Sequence, residues 1–170
     1  LSVLGGADVL VNCAGIAEFS LFQDITDEDW DRMFDINIKG VYRSIQAALP
    51  YLMKRERSRI VTFSSMWGQV GASCESHYAA SKGAVIALTQ SLAKELGPSG
   101  VRVNCVSPGT ILTDMTAVLG QETLDALAEE TPLERNGSPE DAARAAAFLC
   151  SEAADFITGQ VVAVNGGYIV

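Results

Sequence analysis

The chain has 170 residues, 48% of them hydrophobic, which suits one compact domain with a sizeable core. Its formal net charge of −9 excludes a general nucleic-acid binder, whose affinity comes from Lys and Arg neutralising phosphates. Four scattered cysteines without a Cys-x-x-Cys pair, and a single histidine, His77, argue against a metal cluster and fit a reducing, cytoplasmic setting.

In chain order, the first element is "ADVLVN" (7–12), a short apolar run rich in β-branched residues and predicted as a strand. Thr26 followed by Asp29 has the spacing of a capping box, so a helix is expected to begin there. "RIVTFS" (59–64) is the second predicted strand. Between 77 and 96, Val85, Leu88, Leu92 and Leu96 advance by three and four, and Gly97-Pro98 ends the run, which predicts a helix with one buried face. "VRVNCVS" (101–107) is the third strand. Residues 109–137 mix polar residues and turn formers with one helical pattern near 121–130, and are expected to form a long excursion beside a ligand site. Ser138 with Asp141, and Pro139 between them, predicts another capped helix, and "QVVAVN" (160–165) closes the series as a strand. Continuous apolar strands separated by helices predict an α/β chain with a parallel sheet covered on both faces. No apolar run approaches the ~20 residues of a membrane span, and no basic-then-apolar leader opens the chain, so a soluble protein that is not secreted is expected.

Tyr78 and Lys82 stand one helical turn apart, and Ser64 and Ser65 follow the second strand at its carboxyl end, where open α/β sheets place their ligands. A phenol is a poor acid or base at pH 7. A nearby ammonium favours the phenolate, and a serine hydroxyl can hold a reacting carbonyl oxygen while the phenol exchanges its proton. The missing part is a hydride donor, which no side chain supplies and a nicotinamide cofactor does. A Gly-rich phosphate turn normally follows the first strand of a dinucleotide fold. Here Gly5-Gly6 precede the first predicted strand.

The motifs "NCAG" (12–15), "FDINIKG" (34–40), "SSMWG" (64–68), "YAASK" (78–82), "VNCVSPGTILTDM" (103–115) and "FITGQVVAVNGG" (156–167) resemble, in order and spacing, those of the short-chain dehydrogenase/reductase family, notably its 3-oxoacyl-[acyl-carrier-protein] reductases. The resemblance covers 1–170 and implies a Rossmann-like doubly wound parallel sheet of which only the C-terminal part, about four strands, is present. The N-terminal cofactor-binding portion would then lie outside this single partial domain. Carried over by position, Tyr78 is implied as the general acid/base, Lys82 as the group that lowers its pKa and binds the nicotinamide ribose, and Ser65, rather than Ser64, as the carbonyl-holding hydroxyl. Asn37 is implied to anchor a proton-relay water at a helix irregularity. Asn12, Ala14 and Gly15 resemble the segment passing the adenosine ribose, and Pro108, Gly109, Ile111 and Thr113 the nicotinamide and phosphate contacts; no metal is implied. Cys13 stands where the family has a second asparagine, and Cys13 and Cys105 read as small buried hydrophobes, while Trp67 and His77 suit either core or substrate contact.

The implied cofactor is NADP, with NAD possible, and the implied substrate is a 3-oxoacyl group on acyl carrier protein or a small carbonyl compound. Lys54, Arg55, Arg57 and Arg59 offer a basic patch for an acidic carrier, against the ordinary alternative of a solvated charge run. "SSMWGQVGASCES" also resembles bacterial reductases acting on a ketone attached to elongation factor P, and a catalytically silent fragment or interaction module is a third reading. Relatives self-associate through two helices, here near 38–55 and 77–96, and through the last strand, so a dimer or tetramer is expected.

Overall fold

The computed structural model describes residues 6–170; Gly5, the first of the Gly5-Gly6 pair, lies outside the described residues. Four strands, β1 (Val9–Asn12), β2 (Ser58–Phe63), β3 (Val101–Pro108) and β4 (Val161–Val164), form one sheet in the order β1-β2-β3-β4. Every neighbouring pair is parallel, with Asn12 beside Thr62, Thr62 beside Cys105 and Pro108 beside Val164. Parallel neighbours need crossovers, and the chain supplies α1 (Asp27–Phe34) and α2 (Gly40–Leu52) between β1 and β2. α3 (Trp67–Val70) and α4 (Ser76–Leu96) follow β2, and α5 (Asp114–Ala117), α6 (Gln121–Glu130) and α7 (Pro139–Cys150) lie between β3 and β4. This is the parallel, Rossmann-like sheet expected from the sequence.

Both predicted capping boxes form. Thr26 Oγ1 accepts from the Asp29 N–H at 3.1 Å and the Asp29 carboxylate accepts from the Thr26 N–H at 3.3 Å. Ser138 and Asp141 repeat the exchange at 3.3 and 2.8 Å. These reciprocal bonds satisfy amides that have no partner inside the helix.

The two sheet faces separate two cores. On one face α2 (Val41, Ile45, Ala48, Leu52) and α4 (Ala93, Leu96) bury Ile60, Val101 and Val103. On the other, Ala146 and Leu149 of α7, with Ala154, bury Val61 and Val106. Adjacent Ile60 and Val61 thus point to opposite faces, as the two-residue period of a strand requires, and both are fully buried. Arg102 fastens the second layer: its guanidinium donates to the carbonyls of Leu149 (3.1 Å) in the last turn of α7 and of Ser151 (3.0 Å) and Ala154 (2.8 Å) just past it, where carbonyls lack helical partners.

The basic patch read from the sequence is largely engaged within the chain. Arg55 pairs with Asp8 at 2.8 Å, Arg57 with Asp155 at 2.8 Å, and Arg59 and Arg102 also reach Asp155, at 3.6 and 3.3 Å. Lys54 lies over the Tyr51 ring, 5.9 Å from its centroid. No helix among the described residues is long and apolar enough to cross a membrane.

Candidate active site

Four segments meet at the carboxyl ends of β1, β2 and β3. Beyond β2, the Ser64 N–H donates to the Val106 carbonyl at 2.9 Å and the Met66 N–H to the Pro108 carbonyl at 2.9 Å, so the Ser65 turn is held beside β3 past the end of the regular strand. Ser64 and Ser65 are both buried, yet their hydroxyls differ in kind. Ser64 Oγ donates to the Lys82 carbonyl at 2.8 Å and so fastens β2 to α4. Ser65 Oγ accepts from the Trp67 N–H at 3.2 Å and keeps its own proton to donate.

Gly68 on α3 is the reason that α4 can come so close. A Cβ there would lie 2.7 Å from Ser64 Oγ and 2.8 Å from the Lys82 backbone carbon. The helix pair therefore brings Tyr78 and Lys82 against β2. Tyr78 is 8% exposed and Lys82 5%, and the ammonium lies 5.7 Å from the phenol ring centroid. Lys82 Nζ donates to the Phe63 carbonyl at 3.1 Å.

Burial pushes the Tyr78 phenol up; Ser65 opposes that shift and Glu75 adds to it. Burial likewise pushes Lys82 down, against the smaller opposing influence of Cys105 and Cys13. The direction of the phenol shift is the reverse of that expected from the ammonium alone, because desolvation of the charged form is the largest cause. At neutral pH Tyr78 therefore carries its proton.

Asn37 lies in a helix irregularity, as the sequence suggested. Residues Asp35–Lys39 form a π turn between α1 and α2, with the Gly40 N–H reaching the Asp35 carbonyl. Asn37 Oδ1 accepts from the Ile16 N–H at 2.8 Å, and Nδ2 donates to the Ile16 carbonyl at 2.9 Å and to Ser81 Oγ at 3.0 Å. Ser81 in turn donates to the Tyr78 carbonyl at 2.8 Å. The Asn37 side chain is thereby committed to protein partners, and holds the loop after β1 against the start of α4. Gly15 lies between: a Cβ on it would stand 3.1 Å from both Asn37 Oδ1 and Lys82 Nζ. Asn12, at the end of β1, accepts from Ser44 through Oδ1, while its buried Nδ2 has no partner among the described residues.

Asn37, Ser65, Tyr78, Lys82, Asn12, Gly15 and Pro108 thus belong to one neighbourhood, with Ala14 exposed on the loop at its edge. Gly109 continues the β3 end, its N–H on the Val164 carbonyl at 3.0 Å and no room for a Cβ, which would fall 2.8 Å from Asn165 Cα. Ile111 and Thr113 sit farther along the excursion. Ile111 bridges to Gly137, and Thr113 opens α5 with its N–H on Thr116 Oγ1 at 3.0 Å. A cavity of ≈ 190 Å³ lies on that side, lined by Thr110, Leu133, Arg135 and Asn165 among others, and none of Asn37, Ser65, Tyr78 and Lys82 contributes to it.

One sequence expectation changes here. Cys105 is fully buried, but Cys13 is exposed, because it sits on the open loop after β1. His77 is 1% exposed and turned into the core, with Nδ1 unpaired among the described residues. Trp67 is half-buried and meets the Tyr168 ring edge-on at 5.9 Å. The residue missed was Glu75: it is 7% exposed and its burial pushes the carboxyl up to about 7. An acid three positions before Tyr78, among small residues, was the available signal.

The family described as Enoyl-(Acyl carrier protein) reductase matches residues 1–169. The chain is 42% identical over 167 residues to the 3-oxoacyl-[acyl-carrier-protein] reductase FabG of Staphylococcus aureus strain Mu50, spanning 98% of this chain and 68% of that protein. It is 44% identical over 166 residues to the FabG of Aquifex aeolicus, spanning 98% and 67%. A solved structure from Brucella melitensis, described as a short-chain dehydrogenase/reductase SDR, glucose/ribitol dehydrogenase, superimposes with a TM-score of 0.93 at 44% identity, over 98% of this chain and 66% of that one.

Proposed function

We propose that this chain, which belongs to the short-chain dehydrogenase/reductase family, carries the proton-transfer and carbonyl-holding site of an NAD(P)H-dependent ketone reductase, within a single domain spanning 1–170. One observation carries the reading: a protonated, buried Tyr78 beside the free proton of Ser65 and the ammonium of Lys82, at the carboxyl ends of parallel strands.

The residues fit a nicotinamide nucleotide. Asn12 offers a buried unpaired Nδ2, Lys82 an ammonium with donors beyond the one given to Phe63, and Gly15 a backbone without a side chain to bar approach. When bound, that cofactor supplies the hydride. Asn12, Ala14, Gly15, Tyr78, Lys82, Pro108, Gly109, Ile111 and Thr113 are the proposed contacts, and NADP is the preferred form, with NAD as the alternative.

Ser65 donates to the substrate carbonyl oxygen, and Tyr78 gives that oxygen its proton as charge develops on it. Lys82, held over the ring, favours the phenolate left behind. Asn37 acts on this site through Ser81 and the Ile16 loop, as a positioning residue. Tyr78→Phe is expected to lower turnover at least ~100-fold with NADPH affinity within about threefold, and a mutant keeping more than about a tenth of normal turnover overturns the acid assignment.

The first substrate reading is a 3-oxoacyl thioester on acyl carrier protein, the reaction printed in the names of the FabG relatives. A second reading is a ketone on elongation factor P; that partner is acidic too, so the internal pairing of Arg55, Arg57 and Arg59 bears on both readings alike. Parallel assays with a 3-oxoacyl thioester and with the ketone-bearing factor separate the two. Self-association through the faces near 38–55 and 77–96 and through β4, in a cytoplasmic setting, completes the proposal. Light scattering at tens of micromolar is expected to exceed the 18.0 kDa of one chain.

A further inference from the structure

The hydroxyl that meets the substrate carbonyl stands on a slight support. Ser65 precedes α3, a helix of four residues with no side-chain cap on its first amides, and so short a helix has little stability of its own. What its side chains rest on therefore decides where the Ser65 turn points. Gly68 lies against α4, and Gln69 Nε2 donates to Ser107 Oγ on β3 at 2.6 Å. Trp67 is the closer hold, because its own N–H donates to Ser65 Oγ at 3.2 Å. Its ring in turn rests on Tyr168, from the turn beyond β4.

Tyr168 is fixed at both ends. After β4 the chain turns through Gly166 and Gly167, at φ 65° and 89°, and a Cβ on Gly166 would lie 2.5 Å from Thr131 Cγ2. Asn165 closes that turn: its carbonyl accepts from the Tyr168 N–H at 3.1 Å, its Oδ1 accepts from the Gly167 N–H at 3.0 Å, and its Nδ2 donates to the Ile169 carbonyl at 2.9 Å. The Leu133 N–H donates to the Gly166 carbonyl at 3.2 Å, which ties the turn to the chain after α6. The phenol donates to Glu130 Oε2 at 2.7 Å, at the last residue of α6. With backbone and hydroxyl both held, the ring meets Trp67 at 86°, an edge-to-face arrangement that aromatic pairs favour.

We propose that Tyr168 is a positioning residue: by holding the Trp67 ring it keeps the Trp67 N–H on Ser65 Oγ, and so keeps the Ser65 proton aimed at the substrate carbonyl oxygen. This rests on the carbonyl-reduction reading and adds to it a residue from outside the motifs that carry the chemistry. The Trp67 N–H occupies one acceptor direction of the hydroxyl, which leaves its proton fewer orientations. A donor fixed before the substrate arrives is what stabilises a developing oxyanion.

Two readouts test this, one of them without turnover. Amide hydrogen exchange at Trp67 is measured by NMR in the wild-type chain, Tyr168→Ala, Tyr168→Phe, Ser65→Ala and the Ser65→Ala/Tyr168→Ala double variant. On the same set, kcat and KM are measured with NADPH and the N-acetylcysteamine thioester of 3-oxobutanoate. Tyr168→Ala is expected to speed Trp67 exchange at least tenfold and to lower kcat at least fivefold, with KM within about twofold. Tyr168→Phe, which keeps the ring, should stay within about threefold of wild type in both. Added to Ser65→Ala, Tyr168→Ala should change neither readout further, because its route to the reaction is already removed. Tyr168→Leu replaces Tyr168→Ala if that variant does not fold. Unchanged exchange at Trp67 overturns the inference, and so does an effect of Tyr168→Ala that persists in full without Ser65. Trp67 exchange that depends on Tyr168 and Ser65, in a wild-type chain with no turnover, keeps the assignment of Tyr168 to the Ser65 hydroxyl and sinks the reductase reading. Wild-type turnover with exchange and kcat indifferent to Tyr168→Ala does the opposite.

Discussion

Replacing Glu75 by Gln should stabilise the fold, and only above a definite pH. The folded carboxyl titrates near 7 against an ordinary value of 4.5. Between those values the folded chain holds a proton that the unfolded chain has released, so stability falls as pH rises from 4.5 to about 7 and stays reduced above it. The full gap corresponds to roughly 3.4 kcal/mol at ~1.36 kcal/mol per pH unit. Residual solvation of the carboxylate, and the smaller cost of burying a glutamine amide, bring the expected gain at pH 8 to about 1–3 kcal/mol. Urea denaturation followed by circular dichroism at pH 5 and pH 8 measures it. Glu75→Gln should match wild type within ~0.5 kcal/mol at pH 5 and exceed it at pH 8. Equal stability at pH 8, or the same gain at both pH values, would refute the claim that an uncompensated charge is buried here. A confirmed gain would also mean that the natural residue is held at a cost to the fold, which is the usual mark of a functional position.

The two adjacent serines should separate cleanly. Ser64→Ala removes a buried bond to the Lys82 carbonyl and is expected to cost about 1–2 kcal/mol by denaturation, whereas Ser65→Ala should lower kcat/KM at least ~10-fold for a smaller loss of stability; the reverse pattern would exchange their roles. Arg102→Ala strips donors from three carbonyls at and beyond the end of α7 and a partner from Asp155, so a loss of ~2–4 kcal/mol is expected, and less than ~1 kcal/mol would show that water replaces the guanidinium at little expense. Gly15→Ala places a methyl 3.1 Å from Lys82 Nζ and Asn37 Oδ1 and should weaken NADPH binding in calorimetry more than it lowers the melting temperature. Equal effects on both would make Gly15 a folding residue only.

Local spacing explains why much was legible in the sequence. The Thr26 and Ser138 capping boxes need only a residue and its neighbour three positions on, and both form. β-branched runs mark all four strands to within two residues at either end. The gathering of Asn37, Ser65, Tyr78 and Lys82 followed from motif order. What failed to show was anything decided by a distant partner. Arg57 reads as part of a free basic run until Asp155 is found 98 residues away at 2.8 Å. The choice of Ser65 over Ser64 came with the family resemblance, but its physical ground, the Ser64 bond to the Lys82 carbonyl, arrives only when α3 and α4 pack. The Tyr78 shift depends first on burial, which a motif does not record. Glu75 is legible as an acid, but its isolation is a property of everything around it.

The paired bonds between Asn37 and Ile16 give the site a clock. Ile16 belongs to no strand, yet its N–H is held by a buried side-chain oxygen rather than by water, as an amide in a sheet would be. An amide in such a loop ordinarily exchanges with solvent almost freely, so any slow exchange at Ile16 must measure how often the π turn lets go of the loop. Asp at position 37 would keep the acceptor for that amide and lose the donor to the Ile16 carbonyl, so exchange at Ile16 should quicken while the cores under α2 and α7 keep their protection. A single resonance would then report the lifetime of the assembled site, without substrate and without turnover.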